Sequence, residues 1–204
     1  KNEPVEKKNV TPKKQIPSDM IFVDGGTFSM GSNDGVQNEQ PVHSVTQSSF
    51  YICNHEVTQL EYISIMEINP SIFGTEPAVG EKQENRPVEY VSWFDAIYYC
   101  NKKSIAEGRV PCYSILGETD PSLWRYRPHE GNNMDETVNC NFSANGYRLP
   151  TEAEWEFAAR GGNKSKGYKY VGSNEIDSVG WSRENSQDKT HEVKKKNANE
   201  LGLY

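Results

Sequence analysis

The sequence predicts one loop-rich domain in which short strands alternate with three short helices, preceded by a polar tether. Three observations carry that prediction. Three hydroxyl residues, Thr58, Ser92 and Thr151, each have an acidic residue three positions on, at Glu61, Asp95 and Glu154. That spacing is the capping box, in which the carboxylate reaches back to the cap N–H and opens a helix. Short apolar runs between Gly- and Pro-containing clusters read as strands. Only 34% of the 204 residues are hydrophobic and the mean hydropathy is −0.82, low for a compact domain and suited to one with much loop. Eleven Tyr and four Trp point to an aromatic core. The formal net charge of −7 argues against a general nucleic-acid binder. No run of about 20 apolar residues is present, so no helix is expected to span a membrane.

Taken in order, Lys1 to Asp19 is rich in Lys, Pro and polar residues without apolar periodicity and is expected to be a flexible tether, with the domain over residues 20–204. Ile21–Val23 is a short apolar run, and Asp24-Gly25-Gly26 is read as the turn of a hairpin into Thr27–Met30. Residues 31–40 form a polar loop, His43–Thr46 alternates, and Phe50–Cys53 is a buried strand. Thr58 caps a helix to about Glu67, closed by Asn69-Pro70. Ser92 caps a longer one from Trp93 to about Glu107, with Gly108 as its C-terminal stop. Capping accounts for these carboxylates, and none is read as an acid–base catalyst. Cys112–Leu116 and Val138–Phe142 are strand-like and flank a long polar segment, Gly117 to Asn139. Long loops often carry function, and an aromatic beside an arginine is a common recognition pairing. Trp124, Tyr126 and Arg127 are therefore the candidate ligand-binding residues, against the alternative that the loop's aromatics simply pack inward. His191–Val193 suggests an edge strand, and Lys194–Lys196 a solvated loop rather than an anion-binding patch.

The third helix lies in Gly146-Tyr-Arg-Leu-Pro-Thr-Glu-Ala-Glu-Trp-Glu-Phe-Ala-Ala-Arg-Gly-Gly162. Ala153, Phe157 and Ala158 share one face, Trp155 and Ala159 an adjoining one. Phe50, Tyr62, Trp93, Ile97, Leu149, Trp155 and Phe157 are the expected core. The cysteines, Cys53, Cys100, Cys112 and Cys140, are far apart in sequence. They are read as small buried hydrophobes, or as including a Cys112–Cys140 disulfide if a hairpin brings those two together. The four His residues show no metal spacing, and Cys53-x-His55 by itself reads as strand packing.

The 146–162 string closely resembles the signature helix of the formylglycine-generating enzyme (sulfatase-modifying factor) superfamily. Further resemblances follow in the family's order: Met20–Gly31, Phe50–Tyr62, Arg86–Ala96 and Asn199–Tyr204. The fold this implies is α+β, a loop-rich variant of the C-type lectin fold. The family's domain usually continues past the position of Tyr204 into its last strands, so the sequence is expected to hold the scaffold without the segment that carries the oxidases' two copper-binding cysteines.

Two functions follow from the resemblance. One is a surface-displayed binder, of the kind that includes variable proteins of diversity-generating retroelements, with its recognition face mainly beyond residue 204. The other is a copper-dependent oxidase that converts a sulfatase cysteine to formylglycine. The binder is favoured, because the Asn two residues before Trp in the oxidases' first calcium site is absent before Trp181, leaving Asn185 and Asp188 as the nearby oxygen donors. No cofactor is expected within these residues; a calcium site of the family type is in doubt, and copper belongs to the oxidase reading alone. The expected partner is a protein or other extracellular ligand, not nucleic acid. The chain is expected to be a bacterial monomer at the cell surface, or otherwise periplasmic or extracellular, tethered through a lipid anchor that precedes Lys1.

Overall fold

The computed structural model describes residues 15–131 and 135–204. Its elements are β1 (Met20–Val23), β2 (Gly26–Met30), β3 (His43–Gln47), β4 (Phe50–Cys53), α1 (Gln59–Met66), α2 (Trp93–Ala106), β5 (Tyr113–Ile115), β6 (Val138–Cys140), α3 (Glu152–Ala159) and α4 (Ile176–Val179), with short 3-10 turns between. The architecture is α+β and loop-rich.

The first four strands depart from the expected hairpin. β1 pairs with β4 and β2 with β3, both antiparallel and in one common offset, from Met20↔Cys53 to Val23↔Phe50 and from Gly26↔Gln47 to Met30↔His43, with the ladder interrupted between them. The four strands thus form one long ribbon, bent where Asp24-Gly25 faces Ser48-Ser49. Asp24-Gly25-Gly26 is this bend and not a hairpin turn. A Cβ at Gly25 would stand 2.6 Å from the Gln47 carbonyl oxygen, so glycine is what allows the two backbones to close at the bend. The chain reverses instead over residues 31–42.

All three capping boxes form, each with both reciprocal bonds. α1 ends with Glu67 in the left-handed region at φ 65°, and α2 is followed by Gly108 at φ 61°. The larger core gathers α1, α2, β5 and the loop after it around Tyr62, Ile97, Tyr99, Tyr113, Trp124 and Tyr126. A smaller one holds Val23, Phe157, Ala158 and Leu203, where α3 packs on the ribbon.

Tyr62, Ile97 and Phe157 are buried as expected, and Phe50 and Leu149 are partly so. Trp93 and Trp155 are not: they remain 51% and 58% exposed. Trp93 is the first residue of α2, ahead of the turns that reach the core. α3 buries Glu154, Phe157 and Ala158, a stripe at i, i+3 and i+4, and Trp155 stands just outside it.

The tether expected over residues 1–19 lies mostly outside the described residues. Its end, from Gln15, is held against the domain: Arg109 Nη2 donates to the Gln15 carbonyl at 3.0 Å, and the Asn54 N–H donates to that of Asp19 at 2.8 Å. A Cys112–Cys140 disulfide is not formed; all four cysteines are free. β5 and β6 do pair, but the register sets Cys140 opposite Tyr113, one residue away from the direct opposition a bridge across the two strands would use.

Candidate functional site

The loop between β5 and β6 was the first candidate, and burial redirects two of its three residues. Trp124 and Tyr126 are each only 6% exposed. The Trp124 indole N–H donates to the Glu118 carbonyl at 3.0 Å, and its ring meets Tyr98 edge-on. The Tyr126 hydroxyl donates to Asp95 Oδ1 at 2.8 Å and lies 2.9 Å from Ser92 Oγ. Burial pushes that hydroxyl up to about 12, so it stays a donor at neutral pH. The same Asp95 oxygen accepts the His129 N–H at 3.1 Å. These aromatics clamp the loop onto the start of α2 and are not free to meet a ligand. Arg127 alone is open, with its side chain 74% exposed and 3.6 Å from Glu130.

A more accessible site lies on the far side of Arg86. That guanidinium is fully buried and ties two distant segments together, donating to Thr190 Oγ1 at 2.9 Å, Gln83 Oε1 at 2.9 Å and the Thr75 carbonyl at 3.2 Å. Glu192 Oε1 accepts from the Lys82 N–H at 2.9 Å and Asn85 Nδ2 at 3.0 Å, and the Val193 N–H donates to the Asn85 carbonyl at 3.0 Å. Residues 191–193 therefore dock against 81–86 as an irregular segment, rather than forming the expected edge strand.

On this floor His191 is fixed from both sides, its Nδ1 2.9 Å from Glu81 Oε1 and its Nε2 2.9 Å from the Ser186 carbonyl. Trp181 stacks on it with ring centroids 3.8 Å apart and planes 18° from parallel. Lys196 Nζ sits 4.0 Å from the Trp181 ring centre and donates to the Asp177 carbonyl at 2.6 Å. The result is an open cleft of about 410 Å³ with Trp181 and His191 in its wall and Arg183, Lys189, Lys194, Lys195 and Lys196 around it. It continues over the 192–195 turn into a second shallow cleft beside His55 and Glu61. In an acidic chain this is a local concentration of cations next to an aromatic face, an arrangement that attracts carboxylates and aromatic rings. Lys195 is partly neutralised by Glu192 Oε2 at 2.6 Å.

The Lys194–Lys196 run is visible in the sequence; its alignment with Trp181 is not, because it depends on the chain folding back, with the Asn197 N–H on the Ser178 carbonyl and Lys196 on that of Asp177. Of the two oxygen donors considered for calcium, Asn185 is held by its neighbours. Asn185 Oδ1 accepts the Ser182 N–H at 2.8 Å, and its Nδ2 donates to Asp177 Oδ1 at 2.8 Å and to the Gly180 carbonyl at 3.1 Å. Burial pushes the Cys100 thiol up to about 12, and those of Cys112 and Cys140 upward, which favours the neutral thiol at these three positions.

Known proteins resemble the chain along most of its length. It is 41% identical to the chaperone protein LppX of Paenibacillus barcinonensis, over 93% of this chain and 68% of that protein. It is 29% identical to the inactive C-alpha-formylglycine-generating enzyme 2 of Bos taurus, over 74% of this chain and 52% of that one. Among solved structures it superposes on Treponema denticola variable protein 1 with a TM-score of 0.82 and 39% identity, covering 91% of this chain and 68% of that one. Residues 6–204 match the sulfatase-modifying factor enzyme 1-like domain, and the chain belongs to that family.

Proposed function

We propose that the chain is the scaffold of a surface-displayed, non-catalytic ligand-binding protein. The observation that carries this reading is the superposition on a variable protein over 91% of the chain at a TM-score of 0.82. The open cationic cleft supports it, because lysines beside an aromatic wall offer recognition chemistry. The ligand class suited to the cleft is an acidic extracellular protein segment, its carboxylates meeting the lysines at 194–196 beside Trp181.

Two measurements test the reading. Intact cells expressing the natural gene should lose the protein to added protease, which places it outside. An oligoglutamate peptide should change the Trp181 fluorescence of the purified protein, more weakly as salt rises, and not in Trp181→Phe or Lys196→Ala. Release of aldehyde from a sulfatase-motif peptide with copper and oxygen would replace this reading by the oxidase one. The 41% identity to a chaperone favours a second reading, in which the ligand is an unfolded protein. The half-exposed Trp93, Phe142 and Trp155 suit such a client, and suppression of light scattering by a heat-denatured protein would support it.

A further inference from the structure

At the end of the β1–β4 pair, a carboxylate joins a thiol 34 positions further along the chain and the imidazole two residues beyond it. Asp19 precedes β1, Cys53 closes β4, and His55 lies in the turn toward α1. The register Met20↔Cys53 and the bond from the Asn54 N–H to the Asp19 carbonyl bring Asp19 alongside Cys53. The Cys53 Sγ is 3.6 Å from Asp19 Oδ2 and 3.4 Å from His55 Nδ1, and one ligand atom from each of the three lies within 4.8 Å of the others. No other group of three His, Cys, Asp or Glu side chains comes together in this way among the described residues.

We propose that Asp19, Cys53 and His55 form a binding site for a tetrahedral divalent ion of the zinc class. Zinc–sulfur bonds of about 2.3 Å and zinc–nitrogen or zinc–oxygen bonds of about 2.0 Å, at a tetrahedral angle, separate the ligand atoms by about 3.5 Å. The observed 3.4 and 3.6 Å therefore match the edges of such a shell with little movement. The donor set of thiolate, imidazole and carboxylate is one that zinc takes and that calcium and magnesium do not.

The surroundings complete the case. His55 Nε2, the nitrogen turned away from the thiol, is 3.3 Å from Glu61 Oε1. Glu61 is held in turn by the Thr58 N–H at 2.7 Å and the Thr58 hydroxyl at 2.8 Å, both on Oε2. A carboxylate behind the far nitrogen of a ligating imidazole is the usual outer support of a zinc histidine, and here the capping box of α1 supplies it. Asn54 Oδ1, 2.7 Å from Nδ1, is the neighbour that would fill the fourth position or yield it to water. Asp19, Cys53 and His55 are each only partly buried, so the group is within reach of solvent. Binding displaces the protons on Cys53 Sγ and on His55 Nδ1, which faces the Asn54 Oδ1 acceptor, and releases both to solvent, with no change of oxidation state.

The test is titration of the metal-stripped protein with cobalt(II) chloride, followed by competition with zinc chloride. One equivalent of cobalt should give a near-ultraviolet thiolate-to-metal band and the visible bands of a tetrahedral ion, both removed by zinc. Cys53→Ser should abolish the near-ultraviolet band and His55→Ala should weaken binding at least about a hundredfold, whereas Cys140→Ser should leave the spectrum unchanged. Glu61→Gln keeps a capping-box side chain but should weaken binding about 10- to 100-fold, a change that a purely structural role would not produce. Should Cys53→Ser fail to fold, Asp19→Asn, whose backbone pairing is untouched, should still lower the affinity. A missing thiolate band in the folded wild type, a band that survives Cys53→Ser, or equal loss in Cys140→Ser would overturn the site.

Discussion

Replacing Tyr126 by Phe separates a clamp from a recognition residue. The substitution leaves the ring among Phe94 and Tyr98 and deletes one hydroxyl, which donates to the buried carboxylate of Asp95 at 2.8 Å. Hydrogen bonds to a charged group contribute about 1.5–3 kcal/mol. Asp95 keeps the Ser92 N–H and hydroxyl, each at 2.8 Å, and the His129 N–H at 3.1 Å, so its charge is not orphaned. A loss of about 2 kcal/mol is therefore expected, which for a chain of this size lowers Tm by about 4–8 °C. Arg127→Ala is the control. Its side chain is 74% exposed and its ion pair with Glu130 spans 3.6 Å, so the change should stay within about 0.5 kcal/mol. Urea melts of the three proteins, compared at equal m-value, measure both. A Tyr126→Phe loss below about 0.5 kcal/mol would mean that the hydroxyl bond does not hold the loop.

Three further outcomes are expected. Phe157→Ala should cost about 3–5 kcal/mol in a denaturant melt and Trp155→Ala less than about 1 kcal/mol, because the first ring is 2% exposed and the second 58%. Gly146→Ala should cost about 1–3 kcal/mol, since a Cβ there would meet the Val110 carbonyl oxygen at 2.3 Å and Ser104 Oγ at 2.7 Å; calorimetry would show an unchanged Tm if the chain could relax instead. Acid should weaken the fold partly through Asp95. Burial opposes ionisation of that carboxyl, but the bonds from Ser92 and Tyr126, with His129 nearby, more than reverse the effect and hold it below the usual range. Its contribution is thus complete above the unfolded value of about 3.9 and is lost as pH falls through the folded one. The decline in urea stability from pH 6 to pH 3 should be shallower in Asp95→Asn, and equal slopes would rule out this role.

The parts of the fold that were legible in the sequence are those decided within a few residues. Thr58/Glu61, Ser92/Asp95 and Thr151/Glu154 each satisfy their own helix start through bonds three positions apart, and nothing distant competes. The bend at Asp24-Gly25 reads in the sequence as a hairpin turn because local turn chemistry is the same whether the chain reverses or only kinks. What decides is the partner strand: β3 and β4 continue one register past the glycines, and that match is made some 20 residues downstream. Trp155 fails for a related reason. A helical face is a direction, and one position around α3 takes a side chain from beside Phe157 to solvent.

The functional side chains are harder to read because they are assembled by contacts between segments with no shared pattern. Trp124 and Tyr126 carry the composition of a recognition loop, but their polar atoms find acceptors at Glu118 and Asp95, and a satisfied, buried hydroxyl has nothing left to offer a ligand. Trp181 and Lys196 carry no motif, yet Lys196 folds back to the Asp177 carbonyl and sets its amine by the ring, while the Arg86 and Glu192 bonds to segments about a hundred residues away fix the strip that carries His191. The Asp19–Cys53–His55 group follows the same logic. Cys53-x-His55 is an uninformative pair until strand register adds a carboxylate from 34 positions upstream and a helix cap sets Glu61 behind the imidazole. In each case the backbone hydrogen bonding that closes the fold also selects which side chains meet, so a site of this kind can be gained or lost on an unchanged scaffold by a single substitution at Asp19 or Trp181.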